Sequence, residues 1–482
     1  MKEQVTDIST VLERLTKEVS SMRRTIDEQH VMICNLTRNN EKQRKEIRAL
    51  KVRLSKYEKP TKDSTNSNTP PSKEGIKSEA ARRTKSLRKP SGLKPGGQPG
   101  HEGTTLKKTE CMDETVDIFA NYCTNCGHAL EDCERELDYV TQVISLPGLR
   151  PVTKEIRHFI TICRQCGTRV QSHNPRRRGT NMVVYDASVK SLAVYLSVVH
   201  FLPYGRIEGI FRDVFGFCVS QGSLVNWINE AKRNSEPAIE KIREYIMKST
   251  VVGFDESGCY CSKRLDWAWI AQTVYFTLLF RGSGRSGKEL ESRFGSSLEH
   301  MVAVTDRHSA YFALHFLNHQ VCLAHLLREL QYLNDLDGGQ EWSRDIEKLL
   351  QDAIHERNGN AQAVIDKKGW LEKLDGYMKW DLTHLPIQFE KFRKGLIKCR
   401  DYIFNFLEDP LIPPDNNASE RGIRKLKIKL KNSGTFRTDW GADAFLYLHS
   451  IVETTKKHGL STLKAIQALF QGPDDWAMAI AE

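Results

Sequence analysis

At 482 residues the chain exceeds the roughly 250 to 300 residues at which a single hydrophobic core stops growing, so a one-domain architecture is excluded. The formal charge of +11 favours a polyanionic partner, and it is local: residues 1–110 hold 25 of the 72 Lys and Arg against 14 of the 61 Asp and Glu, leaving 47 against 47 elsewhere. No apolar run of about 18 residues, no signal or transit pattern and no dense cysteine framework is present, which predicts a cytoplasmic protein with reduced thiols and no membrane partner.

Residues 1–58 keep a seven-residue register. One seam position holds Val5, Leu12, Val19, Ile26, Ile33, Asn40, Ile47 and Leu54, and the other Ile8, Leu15, Met22, Gln29, Leu36, Gln43, Leu50 and Tyr57. Without Pro or Gly, this pattern predicts a leucine-zipper-like coiled coil that makes a homodimer or higher oligomer, with Asn40 fixing the register. A long helix folding back on its own chain is the alternative. Residues 59–110 form a Pro/Gly/Ser-rich linker, whose stretch 59–108 carries 12 basic against 4 acidic side chains and too little apolar surface to fold. Its cluster Arg82, Arg83 and Lys85 is a candidate grip on DNA phosphates; a solvated tether is the equal alternative.

Residues 111–175 carry two matched knuckles, Cys123-x-x-Cys126-Gly and Cys163-x-x-Cys166-Gly, separated by 36 residues. Each knuckle presents two sulfurs on a tight turn, and four thiolates complete a tetrahedral site, so a zinc ribbon with one structural Zn2+ is expected. An incidental pairing or a redox dithiol would not need the twin motif. Residues 180–248 read as helical. A helix over Arg206 to Arg212, a turn at Gly216 and a second helix capped by Ser220 fit a DNA-binding helix-turn-helix, although generic helical packing fits as well.

After Ser249 short β-rich runs appear: Val251 to Phe254, Trp267 to Phe280 and Met301 to Thr305. Two of them are followed by a carboxylate, Asp255 and Asp306, each expected at the end of a buried strand. Helical patterns return over about 325–408, and a Pro-rich break precedes a capped helix start containing Glu420. Two strand-end aspartates and a helix glutamate can converge on two Mg2+ or Mn2+ ions for in-line phosphoryl transfer. Spacing alone is weak evidence among 61 acidic residues. Beyond Glu420 runs a basic stretch with Arg421, Arg424, Lys427 and Lys431, of which Arg424 and Lys427 share the face of Glu420, as DNA phosphates beside such a site would require. A solvated basic helix is the plainer alternative. His308, His325 and Arg328 are candidates for supporting the active site, although a lone His at a strand-to-helix junction is more often structural.

Together these segments resemble the IS66 family of insertion-sequence transposases, within the DDE superfamily. The likeness runs through the zipper-like N-terminus, Lys94-Pro-Gly-Gly-Gln-Pro-Gly-His-Glu-Gly103, the two knuckles, Asp255-Glu-Ser, Thr305-Asp-Arg-His-Ser-Ala-Tyr311, Cys322-x-x-His325-x-x-Arg328 and Asn417-Ala-Ser-Glu420-Arg-Gly-Ile-Arg424. Ser257 stands where that family usually has Thr. The resemblance implies an α/β RNase H-like catalytic core over 249–440, with Asp255 on its first strand, Asp306 on its fourth and Glu420 on a later helix. A helical insertion of about 330–405 would account for the long step to Glu420, and 441–482 would be a C-terminal helical tail. It further implies metal-dependent cleavage and strand transfer at the element's terminal inverted repeats, a target DNA, accessory proteins of the same element and a prokaryotic, nucleoid-associated location. Two other readings stay open: a zinc-ribbon, coiled-coil DNA-binding regulator without catalysis, and a hydrolytic nuclease with the same triad.

Overall fold

The computed structural model describes residues 2–54, parts of 110–171, and residues 184–336 and 341–472. The expected linker with Arg82, Arg83 and Lys85, and the cysteines Cys123 and Cys163, lie outside the described residues. Helix α1 (Lys2–Leu54) is a single uninterrupted helix of 53 residues. Its seam side chains Leu15, Ile26, Ile33 and Leu36 are all more than half exposed.

Two compact units divide the described residues after α1. The smaller comprises the described parts of 110–171 together with residues 209–218. Tyr122 bridges Ala129 in antiparallel fashion around the turn that carries Cys126, with Gly127 at φ +75°, a left-handed value glycine adopts freely. Strands β1 (Ile160–Ile162) and β2 (Arg169–Gln171) pair antiparallel around the turn that carries Cys166. Cys126 and Cys166 therefore sit on turns at the tips of short antiparallel pairs, and both are exposed.

The larger unit spans residues 184–208 and 219–472. Its chain runs through α2 (Ala187–Val198), the start of α3 (Tyr204–Phe215), whose residues from 209 on belong to the smaller unit, and α4 (Gln221–Met247). Gly216 takes φ +74° between the last two helices, and the Ser220 hydroxyl caps α4 by accepting from the Ser223 amide. The sheet follows: β3 (Val251–Cys261), β4 (Arg264–Gln272), β5 (Thr277–Gly282), helix α5 (Lys288–Phe294), β6 (Val302–Thr305), helix α6 (Ser309–Phe312) and β7 (Asn318–Val321). Its order is β5-β4-β3-β6-β7, with β3, β4 and β5 antiparallel and β6 and β7 parallel to β3.

Two expectations from the sequence are corrected here. The first strand does not stop before Asp255 but continues to Cys261, so Asp255 lies mid-strand. The run Trp267 to Phe280 is two strands, split by a turn over 273–276. The first strand ends instead in a two-residue hairpin at Ser262 and Lys263, with φ +49° and +68°, a turn that ordinarily advertises itself through Asn-Gly or Asp-Gly.

Helices α7 (Leu323–Leu336), α8 (Glu341–Gly359), α9 (Lys368–Met378), α10 (Ile387–Lys398) and α11 (Asn405–Glu408) then gather around Trp342, Leu350, Phe389, Phe404 and Phe406. Their core continues into Val304 and Val321 of the sheet. The chain ends through α12 (Asn417–Ser433), α13 (Asp439–Lys457) and α14 (Thr462–Gln471). The segment expected as a tail is built into the core. Helix α13 lies along the open edge of β5, where the amides of Leu279 and Thr277 donate to the hydroxyls of Ser450 (2.8 Å) and Thr454 (3.1 Å). Hydroxyls one helical turn apart match alternate outward amides of an edge strand, which would otherwise stay unpaired and buried. Helix α14 packs on α2 and α4, so the helices before and after the sheet close over it together. Among the described residues no helix is long and apolar enough to cross a membrane.

The Ser450→Ala variant is expected to lose about 1–3 kcal/mol of stability, because the buried Leu279 amide is left without an acceptor. Chemical denaturation checks this, and a loss below about 0.5 kcal/mol, the range of an uninvolved surface change, would contradict the edge-sealing role.

Candidate active site

Strands β3 and β6 run parallel side by side at the centre of the sheet, and the sheet changes from antiparallel to parallel pairing at β3. In open α/β sheets ligands bind outside the carboxyl ends of strands at such a switch point. The last paired residues of the two strands are Gly253 and Val304. Asp255 and Asp306 each follow that pair by two residues, so strand register alone places the two carboxylates level with one another.

Alternation along β3 puts Gly253, Asp255 and Cys259 on one face, where Cys259 packs against Ile423 and Leu426 of α12. The close approach of this helix depends on glycine. A Cβ on Gly253 would come within 2.7 Å of Asn416 Oδ1 and Ser419 Oγ, and one on Gly422 within 2.5 Å of Ile270 Cδ1. Asn416 fills the space: its amide donates to the Phe254 carbonyl (2.6 Å) beyond the last β3–β6 pair, and its oxygen accepts from Ser419 (2.6 Å). Asp415 accepts from the Asn417 amide at the start of α12 (3.0 Å). Glu420 sits in the first turn of that helix and is buried.

Three side chains of the expected site surround Glu420. Arg424, one turn on, reaches Oε2 at 2.9 Å; Arg328 reaches it at 3.3 Å; and His325 Nδ1 lies 3.6 Å from Oε1. Burial pushes the His325 imidazole down to about 4, so it is neutral near neutral pH. The Cys322 thiol is buried, accepts from the Asn416 amide (3.2 Å), and is pushed by burial up to about 12.

Burial holds the Asp255 carboxyl well above the usual carboxylate range, and the charges of Glu256, Asp306 and Glu420 add to it. Asp306 is also raised, by burial first and then by Glu256, against the pull of the His308 amide, which donates to Oδ1 at 2.8 Å. His308 thus meets Asp306 through its backbone. The neighbours named in these shifts join Asp255, Asp306 and Glu420 in one electrostatic cluster.

Three residues that the sequence pattern leaves without a role complete the surroundings. Glu256 is buried, pairs with Arg285 at 2.6 Å and accepts from the Tyr311 hydroxyl. Burial and the charges of Glu256, Asp255 and Asp306 raise Tyr311 well above its ordinary value, so it stays a protonated donor. Glu256 and Tyr311 flank the two aspartates in sequence, and only a contact across 55 positions shows that they bind each other. The basic stretch after Glu420 divides by helix face. Arg421, Arg424 and Lys431 are exposed and Lys427 is half-buried, while Lys425 pairs with Glu453 and Lys429 turns inward to the Ser197 carbonyl (3.4 Å). A separate group, Cys261, Asp266 and Asp439, is answered by Arg264 and Arg281 at 2.6–2.9 Å and serves as an ion-pair network beside the β3–β4 hairpin.

A mixed α/β sheet enclosed by helices, with carboxylates gathered at the switch point of its strands, is the architecture of an α/β enzyme. The family model of the IS66 family of transposases matches residues 182–444, more than half of the chain. The chain belongs to that family of insertion-sequence transposases, which are DNA-processing enzymes. A comparison with curated proteins gives no match.

Tyr311→Phe removes a donor to a buried carboxylate and is expected to destabilise the larger unit by about 1–3 kcal/mol. Thermal unfolding of the full chain measures this, and an unchanged midpoint would mean that Glu256 does not depend on the hydroxyl.

Proposed function

We propose that the protein cleaves DNA at the ends of its insertion sequence and joins those ends to a target, with Asp255, Asp306 and Glu420 as its catalytic triad. The observation that carries this reading is the register of β3 against β6, which sets Asp255 and Asp306 level at the switch point that α12 brings Glu420 to face. Asp255 on the first strand of the five-stranded sheet, Asp306 after the fourth and Glu420 on a later helix also support an RNase H-like core, with a helical insertion of about 330–405.

The donor set fits hard divalent cations. Carboxylates whose burial and mutual repulsion raise their proton affinity are relieved when a dication takes the proton's place. Asp255, Asp306 and Glu420 would hold two Mg2+ or Mn2+ ions, which supply activation of a water or 3′-hydroxyl nucleophile and stabilisation of the departing oxyanion. The chain's own residues do the rest. Arg328 and Arg424 hold the Glu420 carboxylate in place, and the His308 amide orients Asp306. Glu256, tied to Tyr311 and Arg285, joins helix α6 and the segment after β5 to the strand of Asp255. Exposed Arg421, Arg424 and Lys431, with Lys427, offer phosphate contacts on the same helix as Glu420.

The remaining modules are assigned in the same reading. The seam of α1, exposed from Leu12 to Leu50, is suited to a second copy of the chain in a coiled coil over 1–58. Antiparallel pairs around both knuckles suit a zinc ribbon over 111–175, with Cys123, Cys126, Cys163 and Cys166 as ligands of one structural Zn2+. The linker 59–110 tethers the two and adds Arg82, Arg83 and Lys85 to DNA binding, and helices 180–248 add a second contact. DNA ends and target are the partners, with accessory proteins of the element beside them, in the nucleoid of a prokaryotic cytoplasm.

Asp255→Asn is expected to abolish both cleavage and end joining in Mg2+ while DNA affinity stays within about threefold. A strand-transfer assay with labelled ends and a target plasmid, paired with a gel-shift titration, measures both. Retained cleavage would overturn the triad, and parent-protein cleavage without joined product would make the protein a hydrolytic nuclease instead.

A further inference from the structure

We propose that Cys322, His325 and Glu420 form a binding site for a borderline-soft dication such as Zn2+, with one coordination position left open. The Cys322 sulfur, a His325 ring nitrogen and a Glu420 carboxylate oxygen all lie within 4.8 Å of one another. His325 Nδ1 and Glu420 Oε1 are 3.6 Å apart, and tetrahedral zinc with N and O ligands at about 2.0–2.2 Å separates them by roughly 3.4 Å. Among the described residues, Nδ1 of His325 is buried with no hydrogen-bond partner, a condition costly for a polar atom unless something is to be bound there.

The local fold explains why these three groups meet. Cys322 directly follows β7, and the first turn of α7 brings His325 back beside it, three residues on. Asn416, which clamps α12 to β3, also donates its backbone amide to the sulfur, a contact that favours a metal-bound thiolate. Arg424 holds Oε2 at 2.9 Å, and Arg328 reaches both carboxylate oxygens at 3.3–3.4 Å, so the carboxylate is fixed in place. The neutral imidazole is already in its ligand form, and the thiol would release its proton to solvent as the metal binds, so one proton leaves per ion. One thiolate and one carboxylate then balance the two charges of the ion. Three protein ligands and an open fourth position resemble a reactive zinc site more than a closed structural one.

The inference stands apart from the reading of Asp255 and Asp306, although the two share Glu420. A soft dication held by sulfur and imidazole would engage the carboxylate that the triad needs, so it would compete with Mg2+ there.

The test uses full-length chain with Cys123, Cys126, Cys163 and Cys166 replaced by Ser, titrated with Co2+ as a spectroscopic stand-in for zinc. One equivalent of Co2+ is expected to give a thiolate-to-cobalt charge-transfer band that Zn2+ displaces. The band should vanish in Cys322→Ala, weaken in affinity by about tenfold or more in His325→Ala, and persist in Asp255→Asn. No band, or the same band in Cys322→Ala, overturns the site. Should the four-serine chain not fold, zinc per chain is measured with the knuckles intact. Cys322→Ala then loses one equivalent and Asp255→Asn none, and equal zinc contents overturn the proposal. Because Asp255→Asn reports on the triad alone, failure of either reading is visible without the other.

Discussion

The amide of Asn416 reaches across from the start of α12 to the Phe254 carbonyl, at the point where β3 loses its pairing with β6. A parallel strand pair that parts leaves backbone groups with no partner, and a buried carbonyl left so costs about 1–3 kcal/mol. One side chain satisfies it and in doing so fixes the helix that bears Glu420. The same residue holds Ser419 through its oxygen and Cys322 through its backbone amide. Gly253 and Gly422 make the contact sterically feasible, since a side chain at either would collide with the opposite element. The position of the third carboxylate is thus a matter of backbone accounting as much as of catalysis.

That arrangement concentrates like charge in a poorly solvated place. Burial first, and then the charges of Glu256, Asp306 and Glu420, raise the proton affinity of Asp255, and burial followed by the charge of Glu256 raises that of Asp306. The fold answers unevenly. Glu256 receives Arg285 and Tyr311, and Glu420 receives Arg328 and Arg424, whereas Asp255 and Asp306 receive backbone amides from Glu256 and His308. The two carboxylates with the least compensation are the two that strand register sets side by side. Glu420 is thus held by two arginines, while Asp255 and Asp306 have only backbone donors.

Much of this was legible from residue order, for reasons that differ by segment. Local chemistry showed well: the heptads as far as Leu54 lie in an unbroken helix, the Ser220 cap and the Gly216 turn are formed, and Cys126 and Cys166 sit on turns. Strand limits did not show, because the Ser262-Lys263 hairpin lacks the usual turn residues and Asp255 gives a polar break inside a strand that continues to Cys261. Long-range pairings were invisible in principle. Nothing near Glu256 points to Tyr311, nothing in the C-terminal helix marks Ser450 and Thr454 as partners of an edge strand, and the basic stretch after Glu420 hides two inward-turned lysines until its helix is packed. Cys322 and His325 were visible as a motif, yet their convergence on Glu420 needed the tertiary fold.

The central claim is that Asp255, Asp306 and Glu420 together form one two-cation site. Fe2+ bound in place of Mg2+ generates hydroxyl radicals in the presence of ascorbate and peroxide, which cut the polypeptide next to the ion. The account predicts fragments ending near residues 255, 306 and 420 together, suppressed by excess Mg2+ and lost in Asp255→Asn. Cuts confined to other segments, or cuts at 420 without those at 255 and 306, would contradict it.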